Sequence, residues 1–156
     1  MQNHRHGFTL IEMLIVIVII GILTMLSSFA WQRYVLNTHL RNAARNIVTD
    51  YQNCKAKAGS ERRDYRITFA TGTSNYTISA DATTDKSAVS TPKSVIEDAS
   101  VIQIIEASYG TGSTIRFESR GTTSWGHVKL QNTRGSKALI TSNSTGKVYV
   151  TFEDMQ

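Results

Sequence analysis

Few residues in this chain have both the type and the spacing to do chemistry. Glu12 is the most informative, a lone carboxylate near the head of the apolar run "GFTLIEMLIVIVIIGILTML", residues 7–26. An ionised side chain in such surroundings costs about 3 kcal/mol on insertion scales, so a carboxylate there normally has a cationic partner or a task. Other candidates are poorer. His4 and His6 lie in the polar head, His39 and His127 stand apart, and no G-x-S-x-G, H-E-x-x-H or P-loop accompanies them. Asp81 and Asp85 in "DATTD" fall short of the roughly six to eight oxygens that calcium takes. "YGTGS", around Gly110 and Gly112, is a turn rather than a dinucleotide fingerprint. Cys54 is the single cysteine, which excludes an intrachain disulfide, a CxxC redox centre and a Cys-based metal site, and reads as a small buried hydrophobe. The expectation is a protein that is not an enzyme, with no cofactor and no metal.

Charge offers a second candidate surface. The 156 residues carry a net charge of +5, unevenly spread. Residues 110–150 hold Arg116, Arg120, Lys129, Arg134, Lys137 and Lys147 against Glu118 alone. This set predicts either a phosphate-binding face, with affinity falling steeply in salt, or strands whose outward side is merely solvated. Trp125 reads first as a core residue and alternatively as a platform for stacking a base.

The elements that must position these residues follow from periodicity. From Met13 to Trp31 no residue carries a formal charge. At about 1.5 Å rise per residue such a run nearly spans a hydrocarbon core of about 30 Å, so a transmembrane helix is expected. A secretory signal peptide, with Arg5 as its basic head, and a plain single-pass anchor are the rival explanations. Arg5 on one side and Arg33, Arg41 and Arg45 on the other leave the orientation open. Beyond the run, Trp31, Tyr34, Val35, Leu40, Ala43, Ala44, Ile47, Val48, Tyr51, Cys54 and Ala58 recur at spacings of mostly three and four, with Arg33, Arg41, Arg45, Asp50 and Lys55 on the other face. One helix is predicted from Phe8 to a stop at Gly59 and Ser60. Period two then takes over in "DYRITFA", "NYTISA", "SVIQII", "TIRFES", "GHVKLQN", "KALITS" and "KVYVTF", while residues 81–94, with the sole proline Pro92, read as an exposed loop. The fold class is α+β: a long N-terminal helix, half transmembrane and half amphipathic, packed on a C-terminal antiparallel sheet or small β-sandwich. Its segments are 1–7, a polar leader; 8–31, the apolar helix; 32–59, the amphipathic helix; and 60–156, a β-rich domain.

The head of the chain explains Glu12 in two ways. "TLIE", from Thr9 to Glu12, fits the S/T-x-x-E capping box, which satisfies free N–H groups at a helix start. The longer pattern, "MQNHRHG" ending in Gly7, then Phe8, then Glu12 as the fifth residue from Phe8, then the apolar run, resembles the class III signal of type IV pilins and type II secretion pseudopilins. That resemblance implies cleavage between Gly7 and Phe8 by a prepilin peptidase on the cytoplasmic side and N-methylation of Phe8. It also implies a single-pass inner-membrane protein whose C-terminal domain faces the periplasm before it joins a pilus or pseudopilus. The new Phe8 amine and Glu12 are opposite charges that lower each other's cost in lipid. They could meet within one helix at i,i+4. The resemblance implies instead that the amine of an incoming subunit meets Glu12 of its neighbour, with packing of residues 10–30 supplying cohesion along an open-ended filament. Implied partners are other pilin or pseudopilin subunits, the peptidase, the inner-membrane assembly platform and, before assembly, membrane lipid. Gly21, fourteenth from Phe8, matches a glycine of many pilins and is equally a neutral small residue at a helix contact. Phe29 stands where major pilins commonly place a proline.

In the C-terminal half, "IRFESRG" at 115–121 and "ALITSNSTGKVYV" at 138–150 are similar to the closing strands of the GspH/FimT group of minor pseudopilins. Some FimT-like members take up DNA through basic residues of a "GRxR" motif on the last hairpin. Here the stretch reads Gly146, Lys147, Val148, Tyr149, so one of the two basic positions is kept and Tyr149 replaces the other. DNA binding through Arg116, Arg120, Lys129, Arg134, Lys137 and Lys147 is the alternative that this resemblance implies.

Overall fold

The computed structural model describes residues 9–84, 86–96, 101–110 and 112–154, with 26–30 described by their backbone alone. One helix, α1 (Leu10–Glu61), is followed by β1 (Tyr65–Phe69), β2 (Asn75–Ala80), β3 (Val89–Ser94), β4 (Ile102–Tyr109), β5 (Thr114–Phe117), β6 (Gly126–Asn132), β7 (Lys137–Ser142) and β8 (Val148–Glu153). All strand pairs are antiparallel and form two four-stranded sheets, β3-β2-β1-β5 and β4-β6-β7-β8. The α+β expectation, a long helix with antiparallel sheets, therefore holds. The chain divides into two compact units, Met1–Val35 and Leu36–Gln156.

In the first unit the side chains from Leu10 to Met25 are exposed without exception. Ile17 is 70% and Met25 70% exposed, and the apolar surface goes right round the helix. Thr24 hides its hydroxyl by donating to the carbonyls of Ile20 and Gly21, at 2.8 and 3.0 Å, the usual way a hydroxyl is satisfied inside an apolar helix. Among the described residues no helix is long and apolar enough to cross a membrane. Of the uncharged run from Met13 to Trp31, the side chains of 26–30 lie outside that description.

In the second unit α1 presents Leu40, Ala43, Ala44, Ile47, Tyr51, Cys54 and Ala58 as one fully buried stripe. The three alanines let the backbone approach the sheets closely. Sheet residues at period two meet the stripe: Tyr65, Ile67 and Phe69 of β1, Ile115 and Phe117 of β5, Ile102 and Ile104 of β4, Val128 and Leu130 of β6, and Ala138 and Ile140 of β7. An aromatic cluster joins the layers. Phe69 lies 6.3 Å from Tyr51, 5.9 Å from Tyr76 and 6.1 Å from Tyr109, ring centre to ring centre, and Phe117 sits edge-on to Tyr51 at 5.6 Å. The Tyr51 and Tyr109 hydroxyls hydrogen-bond to each other, so two polar tips are satisfied inside the core. Gly126 is required where β6 starts, because a Cβ there would overlap the Ser108 carbonyl oxygen and come within 2.9 Å of the Tyr109 Cα.

The structure corrects several expectations. Residues 81–94 are not wholly loop, since 89–94 form β3, an edge strand exposed at every position. Pro92 pairs with Thr77 there, which an edge strand tolerates because one side of it makes no ladder bonds. Gly59 does not stop α1. The helix runs on to Glu61 and ends where Arg62 adopts a left-handed conformation, φ 52°. Trp31 and Tyr34 start the predicted stripe, yet both are exposed, and burial begins at Leu40. Asp50, predicted on the outer face, is only 6% exposed. Trp125 is not a core residue: it is 73% exposed.

Candidate functional site

Glu12 occupies the first turn of α1 with its side chain exposed. Thr9 caps the helix, its hydroxyl accepting from the Glu12 N–H at 3.3 Å and its carbonyl from the same N–H at 3.1 Å. Half of the capping box is therefore made, by the Thr9 hydroxyl and the Glu12 backbone. Among the described residues the Glu12 carboxylate itself has no hydrogen bond or ion pair. Capping accounts for Thr9 and leaves the charge of Glu12 without a local use. Around it stand Leu10, Ile11, Met13, Leu14, Ile15 and Val16, all exposed, which makes the site one carboxylate in a continuous apolar surface. Covering such a surface with lipid or with other apolar helices would make an unpaired carboxylate expensive. Gly7 and Phe8, the expected cleavage and methylation positions, lie outside the described residues.

A second carboxylate is buried inside the unit that follows. Asp50 accepts from the Tyr76 hydroxyl at 2.6 Å and from the Lys93 ammonium at 2.7 and 2.9 Å. It thereby ties α1 to β2 and to the edge strand β3. Burial, then the Asp50 carboxylate, holds the Tyr76 hydroxyl well above its ordinary pKa. One turn on, burial and the Asp50 charge push the Cys54 thiol up to about 12, so it is an inert buried group rather than a nucleophile. Sequence reasoning placed Asp50 on the wrong face. Its position three residues after Ile47 and four before Cys54 puts it at the border of the stripe, and that spacing was the available signal.

The six basic candidates do not converge. Arg116 of β5 is bound to Asp64 at 3.1 and 2.6 Å. Burial alone would raise the Asp64 carboxyl, but the Ser119 N–H and the Arg116 guanidinium together hold it below its usual value. Lys129 of β6 pairs with Glu106 at 3.2 Å, a carboxylate that also meets His127 at 3.2 Å. Lys137 lies 3.9 Å from Asp154. The outward side of sheet β4-β6-β7-β8 is thus of mixed charge rather than a basic face. Arg134 belongs to the β6–β7 turn, whereas Lys147 follows the β7–β8 turn at the other end of β7. The loop carrying Arg120 meets that second turn through the Thr123 N–H and the Ser144 carbonyl, at 3.1 Å. Lys55 of α1 reaches the same turn, donating to the Thr145 carbonyl at 2.8 Å. Arg120, Trp125 and Lys147 are therefore gathered at one end of the sheet, with the exposed Tyr149 next along β8. Among the described residues no group of three or more His, Cys, Asp or Glu could hold a metal ion, and Asp81 is engaged by Arg66 at 2.6 Å. Asp85 lies outside the described residues.

Residues 2–28 match the family model described as the prokaryotic N-terminal methylation motif. No curated protein matches the chain. Its fold is similar to that of the minor pseudopilin EpsH from the Type 2 Secretion System of Vibrio cholerae, at a TM-score of 0.58 and 12% identity over 73% of this chain and 97% of that one. It is also similar to the type IV minor pilin FimU of Pseudomonas aeruginosa, at a TM-score of 0.53 and 15% identity over 78% of this chain and 93% of that one. At these identities the likeness establishes the fold, a long helix on antiparallel sheets.

Proposed function

We infer that this chain, which carries the prokaryotic N-terminal methylation motif and has the fold of minor pseudopilins and minor pilins, is a minor pilin or pseudopilin. It is a structural subunit of a type IV pilus or a type II secretion pseudopilus, and not an enzyme. The observation that carries this reading is the Glu12 carboxylate, left unused by the Thr9 cap and unpaired among the described residues, in an apolar surface that lies within the matched motif, residues 2–28. A prepilin peptidase cuts between Gly7 and Phe8 and methylates the Phe8 amine. The chain waits in the inner membrane as a single-pass protein, its uncharged residues 13–31 in lipid and its β-rich domain in the periplasm. The assembly platform then brings it to the growing filament, where its Phe8 ammonium pairs with Glu12 of a neighbouring subunit. Residues 10–30 replace lipid contacts by helix contacts. Since the contact is head-to-tail and does not close, it propagates.

Mass spectrometry of the full chain, made with and without a prepilin peptidase, tests the first step. The expected result is loss of residues 1–7 and gain of one methyl group on Phe8 only with the peptidase. A mature protein that keeps residues 1–7 overturns the reading.

The exposure of Trp125 favours a second reading, a FimT-like subunit that binds DNA. Arg120 and Lys147 have no acidic partner among the described residues and lie at the same end of the sheet, so a base can stack on the indole while the cations meet phosphates. On this reading the full chain in detergent retards single-stranded DNA at low salt, and Trp125→Ala with Lys147→Ala abolishes the shift. No retardation at low salt removes it.

A further inference from the structure

An open sheet ends in edge strands, and each edge leaves a row of backbone N–H and C=O groups that another strand can pair with. Among the described residues the edges are β3 and β5 in one sheet and β4 and β8 in the other. The chain itself closes β3, β4 and β5. Just past β3 the Val95 N–H donates inward to the Ser74 carbonyl at 2.8 Å, so by alternation the nitrogens of 90, 92 and 94 point outward. The central one belongs to Pro92, which has no N–H to offer. β4 carries a bulge between Ile104 and Glu106, and at Ile104 its free side is taken by the Thr73 carbonyl and the Gly72 N–H, both at 2.8 Å. β5 is covered by the loop after it, since the Ser124 N–H donates to the Arg116 carbonyl at 3.0 Å and Phe117 bridges to Thr123.

β8 differs. Its sequence, VYVTFE, is β-branched and aromatic, without proline, glycine or bulge. The Asn143 N–H donates to the Lys147 carbonyl at 3.1 Å, and this fixes the alternation. Residues 149, 151 and 153 bond to β7, while the N–H and C=O groups of Val148, Val150 and Phe152 point to the free side. Among the described residues nothing pairs with them there. The side chains of the same residues turn inward, opposite the buried Ser142, Ile140 and Ala138. Their cover is incomplete. Val148 and Val150 are half-buried, and Phe152 is 38% exposed with the Arg41 guanidinium 5.8 Å from its ring centre.

We propose that the free side of β8 docks an extended segment of a partner protein, which joins the sheet antiparallel to β8. The segment is basic at its N-terminal end, apolar at alternate positions and acidic at its C-terminal end. Each feature follows from β8. An antiparallel strand meets Glu153 first and Lys147 last. Glu153 and Asp154 have Lys137 as their one cation, 3.9 Å from Asp154, which leaves an excess of acid at that end. Lys147 has no carboxylate partner among the described residues. Apolar residues opposite Val148, Val150 and Phe152 extend the inward row by one strand, at a spacing of about 4.8 Å, and complete its cover. Main-chain bonds supply the affinity, and the alternating side chains select the sequence. A second copy paired through its own β8 is a poorer occupant. The two-fold axis between antiparallel strands of one sheet is perpendicular to that sheet, so it reverses the turns of α1 packed against it. Two chains that enter one membrane from the same side, as in the function proposed above, do not meet in that arrangement.

The probe is a fluorescent peptide that reads lysine, valine, threonine, valine, threonine, valine, glutamate. It is titrated into the full chain in uncharged detergent, with binding followed by anisotropy and amide exchange followed residue by residue by NMR. Saturable one-to-one binding is expected, with exchange slowed at the Val148, Val150 and Phe152 amides. Val150→Pro removes an outward N–H that makes no bond to β7, the arrangement Pro92 already has in β3, and is expected to weaken binding at least about tenfold. N-methylation of the peptide's valines, whose N–H groups face β8, is expected to abolish binding to the unaltered chain, and N-methylation of its threonines to spare it. No saturable binding, binding undiminished by valine N-methylation or by Val150→Pro, or unchanged exchange at those amides overturns the proposal. A chain that is dimeric without peptide and monomeric as Val150→Pro assigns the edge to a second copy and overturns it too.

Discussion

Replacing Glu12 by alanine is expected to leave the chain in the membrane fraction and to cut its incorporation into filaments at least about tenfold. Two opposite effects produce this. Removing an ionised carboxylate from an apolar surface relieves a cost of about 3 kcal/mol, so retention in lipid does not suffer. If the proposed pairing forms in the filament, the same removal strands the ammonium of the neighbour's Phe8 in a low-dielectric contact, where a lone charge is far costlier than a pair. One tenfold step is only about 1.4 kcal/mol, well within what an unpaired ion loses there. Glu12→Gln, which keeps a hydrogen-bond acceptor but no charge, is expected to fall between wild type and Glu12→Ala. Helix capping predicts none of this, because Thr9 makes its bond to the Glu12 backbone N–H, which every substitution but proline keeps. The check is the ratio of subunit in sheared fibres to subunit in membranes. Equal ratios for wild type and Glu12→Ala leave Glu12 with no part in assembly.

Phe69→Ala is expected to destabilise the second unit by about 3–5 kcal/mol. Phe69 is 2% exposed and its ring touches Tyr51 of α1, Tyr76 of β2 and Tyr109 of β4. The cavity left would open between the helix and both sheets, where no single element can relax into it. The Tyr51–Tyr109 hydroxyl pair would also lose the ring that packs beside it. Since domains of this size are stable by roughly 5–15 kcal/mol, such a loss consumes a large share of the total. Urea unfolding of the full chain in detergent, followed by tyrosine fluorescence, measures it. A loss under about 1 kcal/mol would mean that the aromatic cluster does not join the layers.

Much of the fold could be read from the sequence because its two periods are clean. Leu40, Ala43, Ala44, Ile47, Tyr51, Cys54 and Ala58 recur at helical spacing, and Tyr65, Ile67 and Phe69 alternate, and all ten are buried. Failures came where a residue's type outweighs its position. Pro92 signals a loop, but its strand borders solvent and needs no N–H on that side. Gly59 resembles a stop, yet nothing in α1 requires a left-handed residue until Arg62. Asp50 looks like a surface charge because its partners, Tyr76 and Lys93, are 26 and 43 residues away and only the fold brings them to it. Trp125 looks like core because it is large and apolar. The glycine after it holds the close approach to β4, and the indole is left outside. In the candidate site, the position of Glu12 was legible. The division between the Thr9 cap and an unused carboxylate was not, since both uses share the same four letters.

The most direct test is a high-resolution structure of fibres that contain this subunit in processed form. The pairing proposed here predicts the Phe8 ammonium within about 4 Å of the Glu12 carboxylate of the adjacent subunit, with no water between the helices. Fibres in which the two groups lie far apart, each unpaired or each bound within its own chain, would contradict it.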